Sequence, residues 1–216
     1  MLTVVTGLAA IAIGYLLGSI PGAYIMSRLC RNIDIRDVDT GNVGTASTLR
    51  AIGIWQGIIV LFIDVGKGAL SVLIAQWLGV SLPWIAATGF AAFMGHNFPV
   101  YIGFRGGQGV ATLIGIFLVL TFWATGFSLV IIGIILLISW RKILYRIFFA
   151  ILIGGSLLPI FICVVYSCLK VPVRHDWVGL AIFALVCVVF LIARNWNGVK
   201  EPLQATIKRA RARFYR

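Results

Sequence analysis

The chain has 216 residues, of which 61% are hydrophobic and only 11% charged, and its mean hydropathy is +1.07. A water-soluble domain carries about a quarter charged residues to cover its surface, so this composition excludes one and implies an integral membrane protein. Lys and Arg number 18 against 6 Asp and Glu, a formal net charge of +12; because these cations fall between apolar runs, they indicate the cytoplasmic membrane face as their partner and set nucleic acid aside.

A bilayer-crossing helix takes about 20 mostly apolar residues. On that measure the predicted spans cover residues 2–26, 51–78, 82–98, 110–120, 122–138, 147–169 and 177–193. The expected fold is an all-α bundle of about seven transmembrane helices, with five or six as alternatives. It forms one domain over residues 1–216 with a basic tail over 195–216. The fourth span is short, either a half-helix or a piece fused to the fifth. Residues 1–25 lack the basic stretch that opens a signal peptide and are expected to be retained as a span. With the amino terminus outside, 15 of the 18 cations fall in inside loops and the tail, among them Arg28, Arg31, Arg36, Arg50, Arg105, Arg141, Lys142, Arg146 and Arg194, as the positive-inside rule requires. Lys170 and Arg174 fall outside, and Lys67 lies within a span.

In chain order, the first unusual segment is Gly14-Tyr15-Leu16-Leu17-Gly18-Ser19-Ile20-Pro21-Gly22. Small residues four apart let helices approach closely and Pro21 frees a backbone carbonyl; packing is the plain reading, with Ser19 a candidate to face a site. The first inside loop then reads Asp39-Thr40-Gly41-Asn42-Val43-Gly44-Thr45-Ala46-Ser47-Thr48-Leu49-Arg50. Its glycines free N–H groups to converge and Arg50 adds a planar cationic fork, a combination suited to phosphate. The alternative is a polar turn that caps the second span through Thr or Ser.

Inside that span stands Asp64-Val65-Gly66-Lys67-Gly68. A charge near the bilayer centre costs about 2.5–3.5 kcal/mol on insertion scales, and opposite charges three apart share a helix face and can pair. Such a pair is a functional site or a structural tie between helices. Next come Gly95-His96-Asn97-Phe98-Pro99 and Phe104-Arg105-Gly106-Gly107-Gln108-Gly109-Val110-Ala111-Thr112. Three glycines in four positions before a helix N-terminus suit close approach of an anion; a flexible joint is the alternative. His96 has the ordinary pKa of a general base, but no Ser/His/Asp or Cys/His spacing supports a triad, and a loop-capping role competes. His175, between Arg174 and Asp176, reads as solvated, and the basic tail as a surface anchor. Cys30, Cys163, Cys168 and Cys187 show no metal-ligand spacing and read as small buried hydrophobes. No metal or cofactor is expected.

Four blocks in register resemble the bacterial acyl-phosphate-dependent glycerol-3-phosphate acyltransferases: Gly18 to Pro21, Gly41 to Gly44 with Arg50 behind it, Asp64 to Gly68, and Gly95 to Thr112. They cover about the first half of the chain. The resemblance implies transfer of a fatty acyl group from acyl phosphate to the 1-hydroxyl of glycerol 3-phosphate, forming lysophosphatidic acid. It also implies a multi-pass protein of the inner (plasma) membrane, a site facing the cytoplasm, a groove between spans for the acyl chain, and the acyl-phosphate-forming enzyme as a further partner. Carried over residue by residue, it makes Thr40, Asn42, Arg50 and His96 candidate catalytic residues. Ser19, Gly41, Gly44, Ser47, Asp64, Lys67, Arg105, Gly106, Gly107, Gln108, Gly109 and Asn195 become candidate substrate-binding residues.

The chain departs from the family pattern in four places. Thr40 stands where the family has Ser, Ala46-Ser47 where it has Thr-Asn, and Gln108 where it has Lys, while Arg194 to Gly198 and Glu201 echo its carboxyl-terminal block only faintly. Gln108 replaces a charge-assisted phosphate contact of about 1.5–3 kcal/mol by a neutral one. The competing readings are a weakened paralogue that binds a phosphate-bearing lipid precursor, and a small transporter with Asp64 and Lys67 on a polar path; the latter lacks the matching broken spans of an inverted repeat.

Overall fold

The computed structural model describes residues 2–38, 41–138, 155–168 and 176–194. Among them the secondary structure is helical throughout. The first predicted span is two helices, α1 (Leu2–Gly18) and α2 (Gly22–Arg31). Pro21 has no N–H to give the Leu17 carbonyl, which instead accepts from Ile20 N at 3.1 Å, and the ladder breaks over residues 19–21. Helix α2 stops at Asn32, whose left-handed φ of 54° turns its N–H back onto Arg28 O.

The inside loop carries a short helix of its own, α3 (Thr45–Ala51), so the second span, α4 (Ile54–Trp77), begins three residues later than expected. The expected Ser or Thr cap is absent: Gly44 and Gly53 hold the two N-cap positions without side-chain caps. The hydroxyls at Thr45, Ser47 and Thr48 lie inside the first turns of α3, and Thr48 Oγ1 donates back to Gly44 O at 3.1 Å. Helix α5 (Leu82–Asn97) starts with a proline in its first turn, where the missing N–H costs nothing.

Helix α6 (Val110–Leu120) and helix α7 (Phe122–Ile138) are separate, with Thr121 between them at a φ of −144°. Eleven residues rise about 16 Å, roughly half of a hydrocarbon core. The two fold back on each other so that both ends of α6 share a groove with α7. Helices α8 (Gly155–Cys168), whose final turn Val164–Cys168 is a π-helix, and α9 (Trp177–Arg194) complete the bundle. Leu2–Arg31, Ile54–Trp77 and Trp177–Arg194 are long and apolar enough to cross a membrane, and α6, α7 and α8 are shorter apolar helices. With α1 and α2 taken as one, and α3 left in the loop, the described helices form seven segments.

Glycines set the two tightest seams. Along α1 and α5, a Cβ on Gly14 would lie 2.6 Å from Thr88 O, Gly18 abuts Ala92 O and Gly95 abuts Tyr15 O. Along α4 and α6, Gly68 abuts Thr112 O and Gly115 abuts Val65 O. Lipid is as apolar as the helices, so backbone-to-backbone packing of this kind replaces the hydrophobic drive available in water. Many large apolar side chains face outward instead, Trp77 at 85% and Phe62 at 72% exposure. One expectation fails here: only Cys187 is buried, while Cys30 and Cys168 are exposed and Cys163 half-buried, because on a lipid-bathed face a thiol gains little by turning inward.

The first inside loop is clamped before it reaches its glycines. Asp34 Oδ1 accepts from Arg36 N at 3.0 Å and Nε at 2.9 Å, and Oδ2 accepts from Nη2 at 2.6 Å, with Arg28 Nη2 a further 3.3 Å away. The Arg36 guanidinium bonds therefore hold the Asp34 carboxyl down at about 2. A carboxylate whose pKa is depressed on folding contributes stability above its unfolded value near 4, and loses it as pH falls through the folded one. Hydrogen-exchange protection at Arg36 to Val38 is therefore expected to hold down to about pH 4 and to collapse by about pH 2, whereas in Asp34→Ala it is low at every pH.

Candidate active site

Beneath the two glycine-rich loops lies a buried charge centre. Asp64 and Lys67 sit one turn apart on α4, 2% and 6% exposed, with Lys67 Nζ 2.9 Å from Asp64 Oδ1. Lys67 Nζ also donates to Ile20 O at 2.9 Å, the backbone of the break that Pro21 makes in the first span. From α5, His96 Nδ1 approaches the same Asp64 oxygen to 3.4 Å. One carboxylate and one ammonium thus tie together the α1–α2 break, α4 and α5, and their charges cancel within the protein. The pairing expected from the three-residue spacing is present.

The second loop rests directly on this centre. Gly106 N donates to Asn97 O at 3.2 Å and Gly107 N to His96 O at 3.1 Å, so the loop caps the carboxyl end of α5. A side chain on Gly107 would collide with His96 Nε2 and stand 2.5 Å from Val43 O of the first loop. The loops are therefore in contact, and a second tie joins them, Arg36 Nη1 to Ile102 O at 2.9 Å. Gly109, at φ +80°, enters α6 with no side-chain cap, which leaves the first N–H groups of α6 directed at the loop and suited to an anion.

The closed crevice under the loops is lined by Ser19, Ile20, Val43, Asp64, Lys67, His96 and Gly106, among others. Ser19 Oγ, Asp64 Oδ1 and His96 Nδ1 are buried there without a well-aligned hydrogen bond among the described residues. Although Ser19, His96 and Asp64 share the crevice, Ser19 Oγ makes no bond to His96, whose Nε2 abuts Gly107. These three side chains therefore do not form an activated nucleophile.

Around this centre the candidates fall into two sets. Ser19, Ser47, Asp64, Lys67, His96, Gly107 and Gly109 are buried, while Gly41, Arg50, Arg105 and Gln108 are exposed and Asn42 and Gly106 half-buried. Gly44, also buried, starts α3. Thr40 and Asn195 lie outside the described residues. Three participants carry no clear signal in the sequence: the Ile20 carbonyl beside the Pro21 break, the Arg36 guanidinium, and Arg194, which lies with its guanidinium 5.3 Å above the Phe98 ring. Tyr15 fixes Phe98 in turn by donating to its carbonyl at 2.8 Å, so the end of α9 is brought to the second loop.

Fold and site together define a membrane-embedded helical enzyme with a phosphate-suited pair of loops at one end. The glycerol-3-phosphate acyltransferase family model matches residues 8–205. Two curated glycerol-3-phosphate acyltransferases illustrate the range: that of Anaeromyxobacter dehalogenans (strain 2CP-C) is 38% identical over 83% of this chain and 88% of its own length, and that of Geobacter sulfurreducens is 33% identical over 93% and 96%. A relative from Anaeromyxobacter sp. (strain Fw109-5) is 45% identical, but over 56% of this chain and 61% of its own length. The crystal structure of PlsY (YgiH), an integral membrane glycerol 3-phosphate acyltransferase, in its glycerol 3-phosphate form superposes with a TM-score of 0.78 at 29% identity, covering 92% of each chain. Its lysophosphatidic acid form gives 0.75 at 28%, again over 92% of each. The chain belongs to the glycerol-3-phosphate acyltransferase family and is an integral membrane enzyme of that family.

Proposed function

We propose that the protein transfers a fatty acyl group from acyl phosphate to the 1-hydroxyl of glycerol 3-phosphate, at the cytoplasmic face of the inner (plasma) membrane, with residues 1–216 acting as one domain. The observation that carries this is the contact between the two glycine loops, Val43 against Gly107, above the uncapped start of α6. Two substrates that each bear a phosphate meet where two N–H-rich loops meet. The glycerol oxygen attacks the acyl carbonyl carbon, the bond from that carbon to the phosphate oxygen breaks, and the net balance leaves the hydroxyl proton on the released hydrogen phosphate. Phosphate is a good leaving group, so positioning and charge stabilisation suffice without a triad.

In this reading Arg50 and Arg105 bind phosphate from the exposed rim, Asn42, Gly41 and Gly44 shape the first loop, and Thr40 takes the place of the family's serine. Asn195, one residue beyond Arg194 in the sequence, stays a candidate substrate contact on the resemblance alone. Asp64, Lys67 and His96 act from beneath by holding the loops in place.

Gln108 is exposed on the second loop, where the family has a lysine. Gln108→Lys is expected to raise kcat/KM for glycerol 3-phosphate by about ten- to a hundredfold, the equivalent of one regained charge-assisted bond. Steady-state kinetics of both forms check this. A parent without turnover and an active Gln108→Lys would instead favour the binding paralogue.

A further inference from the structure

A narrow apolar groove runs between α6, α7, α8 and α9. Its loop-side end is formed by Val110, the first residue of α6, together with Ile132 of α7 and Leu191 of α9, and its deep end by Phe117. Val110 follows Gly109 directly, so the groove opens where the glycine loop ends. Seven residues along α6 separate Val110 from Phe117, about 10 Å of depth.

The deep end is closed by a ring pair. Phe117 is 2% exposed, and its ring centroid lies 5.3 Å from that of Phe183 on α9. Phe183 is braced from behind, its Cζ standing 3.6 Å from where a Cβ on Gly89 of α5 would be. The floor is thus built from α6 and α9 and backed by α5. Among the described residues the side-chain oxygens on the wall are those of Thr125 and Ser128, and both have partners within the chain: Ser128 Oγ donates to Ala124 O at 3.1 Å and Thr125 Oγ1 lies 3.2 Å from Thr121 Oγ1, at the turn between α6 and α7. The wall therefore presents hydrocarbon to its occupant.

Taking this groove as the one the family resemblance implies for the acyl chain, we infer that Phe117, backed by Phe183, is the residue that sets chain-length preference. The inference rests on the acyl-transfer reading above for the identity of the occupant. With the reacting carbonyl at the glycine loop, the chain descends along α6 and meets the ring pair; any remaining methylenes must turn aside toward lipid. A methylene gained or lost in an apolar pocket changes discrimination by about ten- to two-hundredfold, so removing the floor is expected to have a measurable effect.

The test is a kcat/KM series over saturated acyl phosphates from medium to long chains, for the full chain in lipid bicelles. Phe117→Ala is expected to raise the ratio of longest to shortest chain about tenfold or more, and the milder Phe117→Leu to move it the same way, with KM for glycerol 3-phosphate unchanged. Ile132→Trp, at the half-buried loop-side end, is expected to raise KM for every acyl phosphate and to leave KM for glycerol 3-phosphate alone. A chain-length profile unmoved by both Phe117 variants overturns the inference. A second readout needs no turnover: a non-hydrolysable acyl phosphonate with a mid-chain diazirine, photolysed on the parent protein and mapped by mass spectrometry. Labelling of Phe117, Cys187 or Val188 supports the groove, whereas labelling spread over lipid-facing residues such as Phe62 and Trp77 overturns it. A parent inactive with every chain yet labelled in the groove counts against the transfer reaction and not against the groove.

Discussion

Replacing Asp64 by alanine is expected to cost the folded protein about 3–5 kcal/mol, the penalty for removing one member of a buried ion pair. Lys67 would be left 6% exposed with the Ile20 carbonyl as its remaining acceptor, and His96 would lose the only carboxylate near it among the described residues. The charge cancellation that makes this centre tolerable in the bilayer would be gone. Removing both charges together is a different experiment. In Asp64→Leu with Lys67→Met no charge is stranded, and replacement of a buried pair by apolar residues of similar volume is often neutral or stabilising. Thermal unfolding in detergent should therefore rank the single variant far below the parent and the double variant close to it. A single variant as stable as the parent would show that the pair carries no such burden. If the centre holds the loops, the double variant remains slow in turnover despite its stability.

Gly107→Ala is expected to lower kcat/KM by about a hundredfold, the scale of a misplacement of about 1 Å in a positioned site, with much less change in thermal stability than Asp64→Ala. The added methyl group would meet the buried His96 ring on one side and Val43 O at 2.5 Å on the other. His96 is hemmed in by Asp64, so the first loop is the side that gives, and the separation between the loops is the quantity that changes. Gly66→Ala is the matched control. It lies on α4 between the two charges, its added Cβ would meet nothing within 4 Å, and alanine in a helix is more favourable than glycine by up to about 1 kcal/mol. It should be active and no less stable. Equal losses from both substitutions would contradict the geometric account.

The parts of this molecule that could be read in advance are those governed by solvation and short-range periodicity. Apolar run lengths located the spans because lipid imposes them, and the three-residue spacing of Asp64 and Lys67 predicted a pair because helix geometry does. Features that depend on contacts distant in sequence were not legible. Lys67 reaches 47 residues back to Ile20, and Arg36 crosses 66 residues to Ile102; no local pattern marks either acceptor, since both are backbone carbonyls. The first span continues to Arg31 but as two helices, because its composition stays apolar through Ile25 while Pro21 interrupts the hydrogen-bond ladder. Helix α3 escaped notice for a related reason. Seven residues of Thr, Ala, Ser, Leu and Arg make a weak helix by propensity, and it is held by packing on α4, where Gly57 lies against Leu49.

The glycine-rich segments show what a motif carries and what it omits. Their spacing was legible as phosphate-suited backbone, yet it did not reveal that Gly107 and Val43 touch or that the charge centre supports both loops from below. The departures also gain meaning from position. Gln108 is exposed, as is Arg105, so restoring a cation there disturbs no packing, whereas Ser47 is fully buried and any change at that site acts through the structure of α3.

The most direct test of the account is the purified protein in bicelles, supplied with a long-chain acyl phosphate and labelled glycerol 3-phosphate, with lysophosphatidic acid and released phosphate both measured. The account predicts the two products in equal amounts, dependent on both substrates and reduced about a hundredfold in Gly107→Ala. Absence of lysophosphatidic acid from the parent, under conditions in which a family member with lysine at the position of Gln108 produces it, would contradict the account.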